Sequence, residues 1–338
     1  LPSSSSISVA VVILNWNGRK LLEEFLPSVV EHSAAADVIV IDNGSSDESI
    51  DYLNSNFPSV EIVRLEKNYG FAGGYNQGLK GLKQDVFVLL NSDVEVTAKW
   101  IEPIVERFEK RPALGICQPK ILSYREKDKF EYAGAAGGWL DKWGYPFCRG
   151  RIFDELETDH GQYDQDQNTF WASGAAFFIR RETFESLGGF DEDFFAHMEE
   201  IDLCWRAQQA GHEVACIPSS IVYHLGGASL DASSPQKTYL NFRNGLAMLW
   251  KNSNRRLVLI PTRLVLDGVA GLRLLLSGKP KHCWAVVRAH FAFYFSIGKW
   301  SSKRKSIERK SSALNGYLNK SVVSQHFLKG KKKFDEIV

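Results

Sequence analysis

The sequence predicts an α/β protein built on a mixed, mainly parallel sheet flanked by helices, and three stretches carry that reading. Val9-Ala-Val-Val-Ile-Leu14, Val38-Ile-Val-Ile-Asp42 and Val86-Phe-Val-Leu-Leu-Asn91 are short, β-branched, almost wholly apolar runs. Such runs lie buried on both faces of a parallel sheet. Each ends on polar groups: Asn15-Trp16-Asn17 after the first, Asp42 closing the second, Asn91-Ser92-Asp93 after the third. Ligands of open α/β sheets bind just beyond the carboxyl ends of the strands, so the three ends predict one site on one sheet edge. Its groups suit a phosphorylated ligand held together with a metal.

The elements follow in order. Strand 7–14 leads to a helix near 19–32, and strand 37–42 to a helix beginning about Asp47, where Ser45-Ser46-Asp47-Glu48 offers capping groups. A strand at 60–65 precedes the glycine-rich Asn68-Tyr-Gly-Phe-Ala-Gly-Gly-Tyr-Asn-Gln-Gly78, whose backbone amides can approach a nucleotide closely. After strand 86–91, Val94 to Glu109 reads as a helix following a short turn. Residues 123–169, rich in Gly, aromatic and acidic residues, read as a variable loop region. Phe170–Arg180 reads as a strand, Arg181–Leu187 as a helix and Gly188-Gly189-Phe190-Asp191 as a turn; Glu199–Ala210 is a short helix and Glu213–Pro218 a strand. From Tyr239 onward the pattern is helical and increasingly basic.

Charge divides the chain. The net +1 over 338 residues combines 22 Lys and Arg against 36 Asp and Glu in residues 1–250 with 19 against 4 in residues 251–338. A basic region of that density seeks an anionic surface. No nucleic-acid reading motif accompanies it, so nucleic acid is not an expected partner. Leu257–Leu276 is interrupted by Pro261, Arg263, Asp267 and Arg273, too broken to span a bilayer. With Trp284–Trp300 it reads as a pair of basic amphipathic helices lying on the inner face of a membrane, or else packed on the rest of the protein or in a dimer interface. The five cysteines are scattered without C-x-x-C spacing, and Leu1–Ser6 lacks the regions of a signal peptide. The expectation is therefore a reducing, cytoplasmic setting.

Several residues could do chemistry. Asp93 either binds a hard divalent cation or caps a following helix. Asp42 either contacts a base or ribose or belongs to a turn with Asn43-Gly44. Met198-Glu199-Glu200-Ile201-Asp202 places three carboxylates at a helix start, where they either complement the helix dipole or include a general base whose pKa is raised by crowding. His224 follows a strand and precedes a Gly-Gly-x-Ser turn suited to phosphate contact, although a lone histidine is also a common structural residue. Trp139, Trp143, Tyr145 and Trp171 offer faces for sugar stacking, or pin a loop. The glycine-rich segment is neither a P-loop nor a dinucleotide fingerprint.

The order of these motifs resembles the GT-A glycosyltransferases of family 2, particularly rhamnosyltransferase-like members, over roughly residues 7–250. The match runs through Asn15-Trp16-Asn17, Asp42-Asn-Gly-Ser-Ser-Asp47, Asn68 to Gly78, Asn91-Ser92-Asp93, Ser173-Gly174-Ala-Ala, Gly188-Gly-Phe-Asp-Glu192, Glu199-Glu-Ile-Asp-Leu-Cys-Trp-Arg206 and His224-Leu-Gly-Gly-Ala-Ser229, with Arg243-Asn244 near its end. The resemblance implies inverting transfer from a nucleotide-diphosphate sugar, a UDP- or dTDP-sugar such as rhamnose, to a glycan or lipid-linked saccharide. Asn15, Trp16, Asn17, Asp42, Asn68, Gly70, Asn76, Asn91 and Ser92 would bind the donor. Asp93 and His224 would bind Mg²⁺ or Mn²⁺, and Ser229 the diphosphate. Glu200 would be the base, with Glu199 as substitute, and Trp171, Gly174 and Asp202 would meet the acceptor. Two residues depart from the family pattern: Asn91 replaces the first carboxylate of D-x-D, and Glu200 stands where Asp is commoner. A non-catalytic nucleotide-sugar-binding module is the rival reading. The implied organisation is a catalytic domain over 1–250, with a nucleotide half at about 7–120 and an acceptor half at about 121–250, followed by the basic helical region 251–338.

Overall fold

The computed structural model describes residues 7–226, 234–311 and 313–338. Strands β1 (Val9–Asn15), β2 (Asp37–Asp42), β3 (Glu61–Arg64) and β4 (Val86–Leu90) lie parallel in the order β3-β2-β1-β4. They alternate with α1 (Arg19–His32), α2 (Ser49–Asn56) and α3 (Gly70–Gly78). All five residues of β4 are buried, as a run apolar on both faces requires. The β1–β2 register sets Asn15 opposite Asp42, so the predicted polar ends do share one edge.

β5 (Val94–Val96), α4 (Glu102–Lys110) and β6 (Leu114–Ser123) follow, then short strands β7 (Gly138–Asp141), β8 (Pro146–Cys148), β9 (Arg151–Ile152) and β10 (Glu155–Leu156). β11 (Gln167–Asn168), β12 (Ala176–Arg180), α5 (Arg181–Ser186), α6 (Glu199–Ala210) and β13 (Glu213–His224) complete the central sheet and its cover. Its order continues from β4 through β12, β6 and β13 to β11, with β12 antiparallel to both neighbours. Then come helices α7 (Pro235–Asn252), α8 (Arg256–Leu276) and α9 (Pro280–Lys305), strand β14 (Tyr317–Leu318), and helices α10 (Val322–Phe327) and α11 (Phe334–Ile337).

Four local readings change. Val94-Glu-Val is a strand rather than the start of a helix, because it pairs antiparallel with β13 and buries Val94 and Val96 with a period of two. The glycine-rich segment becomes α3, and its glycines serve packing: a Cβ on Gly78 would sit 2.2 Å from Ile41, and one on Gly74 2.8 Å from Leu14. They let the helix lie directly on β1 and β2. β13 runs past Pro218 through an irregularity between Ile217 and Ile221 and ends at His224. The loop region 123–169 contains most of a second sheet, ordered β10-β9-β8-β7-β14.

That second sheet takes its last strand from residues 317–318, and Phe334 packs edge-on against Trp139 with ring centroids 5.2 Å apart. The boundary expected at 250 falls inside α7. Lys251 is buried between Asp191 and Asp202 at 2.7 Å each, and Lys303 pairs with Asp191 and Asp193. Part of the positive charge of the C-terminal region thus neutralises the acidic half of the same molecule.

Candidate active site

The nucleotide edge is built where β1 and β2 end. The Asn15 amide, fully buried, donates to Asp42 Oδ1 (3.4 Å) and Ser45 Oγ (3.2 Å). Asp42 Oδ2 accepts the Ser45 amide at 3.2 Å. Asn15 Oδ1 is buried without a partner among the described residues, and Gly18 follows because a Cβ there would lie 2.4 Å from it. Trp16 is 54% exposed, an unusual position for an indole and one open to a planar base. Asn17, at φ 51°, accepts the Ser46 amide (2.8 Å) and ties this turn to the next one. Asn68 accepts from Gly70 (2.7 Å) and Asn43 (3.1 Å), and Gly70, at φ +73°, has the Phe195 ring 2.7 Å from where its Cβ would be. Asn43 escaped sequence reading inside a turn-like stretch, yet its buried amide joins Asn68, Tyr69 and Gly70.

Asn76 is a correction. Its amide exchanges 2.9 Å bonds with the Phe190 N–H and carbonyl and reaches Glu192 at 3.1 Å, so its polar atoms are engaged away from the nucleotide edge.

The irregularity in β13 brings His224 to the end of β4. His224 Nε2 lies 3.1 Å from Asp93 Oδ1 and 3.5 Å from the Asn91 amide. Its Nδ1 lies 3.2 Å from Glu131 Oε2, although the angle is poor for a hydrogen bond. Asp93, His224 and Glu131 are each less than a tenth exposed. Burial works against a charged ring, but bonding to Asp93 and the nearby Glu131 carboxylate raise the His224 pKa to about 10. Glu131 was not anticipated; it lies in the stretch read as loop, with no signal marking it.

These donors fit a divalent ion. One carboxylate and one imidazole converge, with a second carboxylate on the far ring nitrogen, as metal-bound histidines commonly have. Among the described residues no three acidic, histidine or cysteine side chains form a closed cage. Two protein ligands suffice where phosphate oxygens and water complete the shell. Ser92 lies close by, its Oγ 4.0 Å from the Cβ position of Gly18, whereas Ser229 lies outside the described residues.

The third element is the start of α6. Phe195, His197 and Met198 all have φ between 65° and 73°, a conformation costing non-glycine residues about 1–3 kcal/mol each. The turn they form packs its Phe195 carbonyl on the Phe71 amide at 3.1 Å. It delivers Glu199, 4% exposed, and Glu200, partly open, at the first turn of the helix. Burial raises the Glu200 pKa to about 7. Glu199 is pushed well above the usual range, first by burial and then by the charge of Glu200. Of the two, Glu200 is the better matched to accept a proton near neutrality.

Two acceptor assignments are corrected here. Asp202 is fully buried and bonded to Lys251 (2.7 Å), Asn252 (2.7 Å) and Arg206 (2.9 Å), so its carboxylate anchors α6 to α7 instead of facing an open site. Trp171 is 5% exposed, donates to the Trp139 carbonyl at 3.1 Å, and lies over Gly138, where a Cβ would come within 2.0 Å of its ring. It pins the two sheets together. Gly174 remains at the edge, beside the Asn91–Ala175 backbone bond and 3.4 Å by its Cβ position from Phe71.

The model for "Glycosyl transferase family 2" matches residues 10–188, more than half of the chain and every element of the nucleotide edge. The chain belongs to that family. This family 2 glycosyltransferase is 26% identical over 233 residues to the N-acetylglucosaminyl-diphospho-decaprenol L-rhamnosyltransferase of Mycobacterium tuberculosis, covering 63% of this chain and 75% of that one. Two solved structures share its GT-A fold. GalNAc-T7 with UDP, GalNAc and Mn²⁺ superposes at TM-score 0.55 and 20% identity, over 74% of this chain and 48% of the other. The mannosyltransferase of Pyrobaculum calidifontis with GDP-Man and Mn²⁺ does so at 0.52 and 15%, over 89% and 85%.

Proposed function

We propose that this glycosyltransferase is inverting and metal-dependent, and that it moves a sugar from a UDP- or dTDP-sugar to a glycan or lipid-linked saccharide in cell-surface polysaccharide assembly. The observation that carries the reading is the pair of carboxylates with divided roles: Asp93 bonded to His224 at the sheet edge, and Glu200 held near pKa 7 at the start of α6. Glu200 takes the proton of the acceptor hydroxyl as its oxygen attacks the anomeric carbon in line, and the bond to the diphosphate breaks. One displacement with one base inverts the configuration. Asn15, Trp16 and Asp42 receive the nucleoside. Asp93 and His224 would hold Mg²⁺ or Mn²⁺, which neutralises charge developing on the leaving diphosphate. A lipid-linked acceptor and a rhamnosyl donor are supported by the name of the mycobacterial relative. Nucleotide release from a panel of UDP-, dTDP- and GDP-sugars, with either metal and with and without a saccharide-diphospho-lipid acceptor, tests this. Acceptor-stimulated release from one donor is expected; tight donor binding with no turnover would instead favour a binding module, to which Asn91 in place of a carboxylate lends some support.

The proposal includes contact with a membrane surface. Among the described residues no helix is long and apolar enough to cross a membrane. Of the 18 large apolar side chains that stand exposed among the described residues, 11 lie between Leu257 and Phe295. Val258, Val265, Val269, Leu272 and Leu276 form one stripe on α8, opposite its buried Arg263, Asp267 and Gly271. Trp284, Phe291 and Phe295 form another on α9. The single acidic residue of the two helices, Asp267, is fully buried, while Arg273, Lys279, Lys281 and Arg288 are exposed. At about 1 kcal/mol each near anionic headgroups, four cations are worth roughly 1,000-fold in partitioning. The protein should float with anionic vesicles at low salt, and a Val265→Asp/Val269→Asp variant should remain in the dense fraction while still transferring sugar to a soluble acceptor. Wild type that stays down, or a variant that floats equally, removes the membrane contact and leaves the transfer reaction standing.

A further inference from the structure

The turn that carries Glu200 is held from behind by two residues of α7. Asp193 and Phe194 offer their carbonyls to the Arg243 guanidinium at 2.9 and 3.0 Å. Phe194, Ala196 and His197 offer theirs to the Asn244 amide at 3.0, 2.9 and 2.7 Å. The Phe195 carbonyl goes to Phe71, and that of Met198 to the Asp202 amide, the first turn of α6. Six consecutive carbonyls, 193 to 198, thus have donors. Asn244 is fully buried, and Arg243 Nε fixes its orientation by donating to Asn244 Oδ1 at 2.7 Å, which leaves the NH₂ group facing the turn.

This explains a feature that local sequence does not. Left-handed conformations at Phe195, His197 and Met198 turn successive peptide groups inward, and three such residues within four positions are uncommon outside glycine. The turn persists because surrounding donors over-determine it, and the residue it delivers is the one read as the base.

We propose that Asn244, oriented by Arg243, is a positioning residue for the transfer reaction: its amide gathers the carbonyls of the 194–197 turn and so sets where α6 begins and where Glu200 points. The inference rests on Glu200 being the base. Arg243 and Asn244 spend these donors on the turn carbonyls and on each other. Their loss should therefore act on turnover and leave nucleotide binding alone.

The test compares Asn244→Ala, Arg243→Lys and Glu200→Gln with wild type in the full-length protein, reading kcat, donor KM, the pH–rate profile and the melting temperature. Asn244→Ala should lower kcat by about 100-fold, the scale of an ångström-sized misplacement, with donor KM within about twofold. Its acidic limb should move below that of wild type, as the loosened turn admits water to Glu200. Arg243→Lys keeps the charge but loses the fork, and should show the same changes at about tenfold in kcat; it carries the test if Asn244→Ala does not fold. Folded variants with lower melting temperature but wild-type kcat and limb would mean that the pair is structural only, and would overturn the proposal. If Glu200→Gln itself keeps full activity, the assignment of the base has failed and the proposal falls with it. An inactive Glu200→Gln beside unaltered Asn244→Ala and Arg243→Lys overturns the positioning role alone.

Discussion

Glu200→Gln is expected to lower kcat by about 10²- to 10⁴-fold with little change in donor KM, the range spanned by removal of a well-placed general base. The glutamine keeps the size and burial of the side chain and removes only its ability to accept a proton. A base works in its deprotonated form. With the Glu200 pKa raised to about 7 by burial, kcat/KM of the wild type should climb with pH and level off above neutrality. That limb should vanish in the glutamine variant. Glu199→Gln makes the contrast. Burial and the neighbouring charge both push the Glu199 pKa up and favour its protonated form, so its amide isostere should retain most of the activity and leave the limb in place. The reverse outcome, with Glu199→Gln inactive and Glu200→Gln active, would transfer the role to Glu199.

Asp93→Ala is expected to cost at least about 100-fold in kcat/KM, because a carboxylate assisting charge neutralisation at a departing diphosphate is worth several kcal/mol. It should also abolish the strengthening of nucleotide binding by Mn²⁺, measured by calorimetry with UDP. This second readout does not depend on turnover. His224, left with Glu131 alone, cannot replace a lost anionic ligand, and Asn91 is neutral. A variant whose UDP affinity still rises with Mn²⁺ would show that metal is held elsewhere, or by phosphate alone.

The parallel half of the fold was legible because its information is local. Apolar runs such as Val86–Leu90 must be buried on both faces, and the groups that interrupt them mark the sheet edge. Asp42, Asp93 and Glu200 could be singled out on that basis together with the motif order. Burial misled the reading elsewhere. Asp202 resembles its neighbours Glu199 and Glu200 in sequence, yet Lys251 and Asn252, about 50 positions on, occupy its carboxylate completely. Trp171 reads as a sugar platform until Gly138 is found beneath it. The basic region reads as seeking an external anionic surface, whereas Lys251, Lys299 and Lys303 are spent on Asp191, Asp193 and Asp202.

By itself the sequence determined the parallel strands, the polar edge they share, the family and the carboxylates available to it, since periodicity and side-chain chemistry are properties of neighbours in the chain. Only the tertiary structure decided which of those groups are free to react. Asn76 and Asp202 are consumed by partners, Glu131 is set beside His224 by its backbone bond to Ile121 of β6, the parallel neighbour of β13, and Asn244 holds a turn that residues 195–198 would not adopt alone. The reason is physical: whether a polar atom binds a ligand or its own protein depends on which donors and acceptors lie within about 3 Å of it, and most of these come from residues far away in sequence.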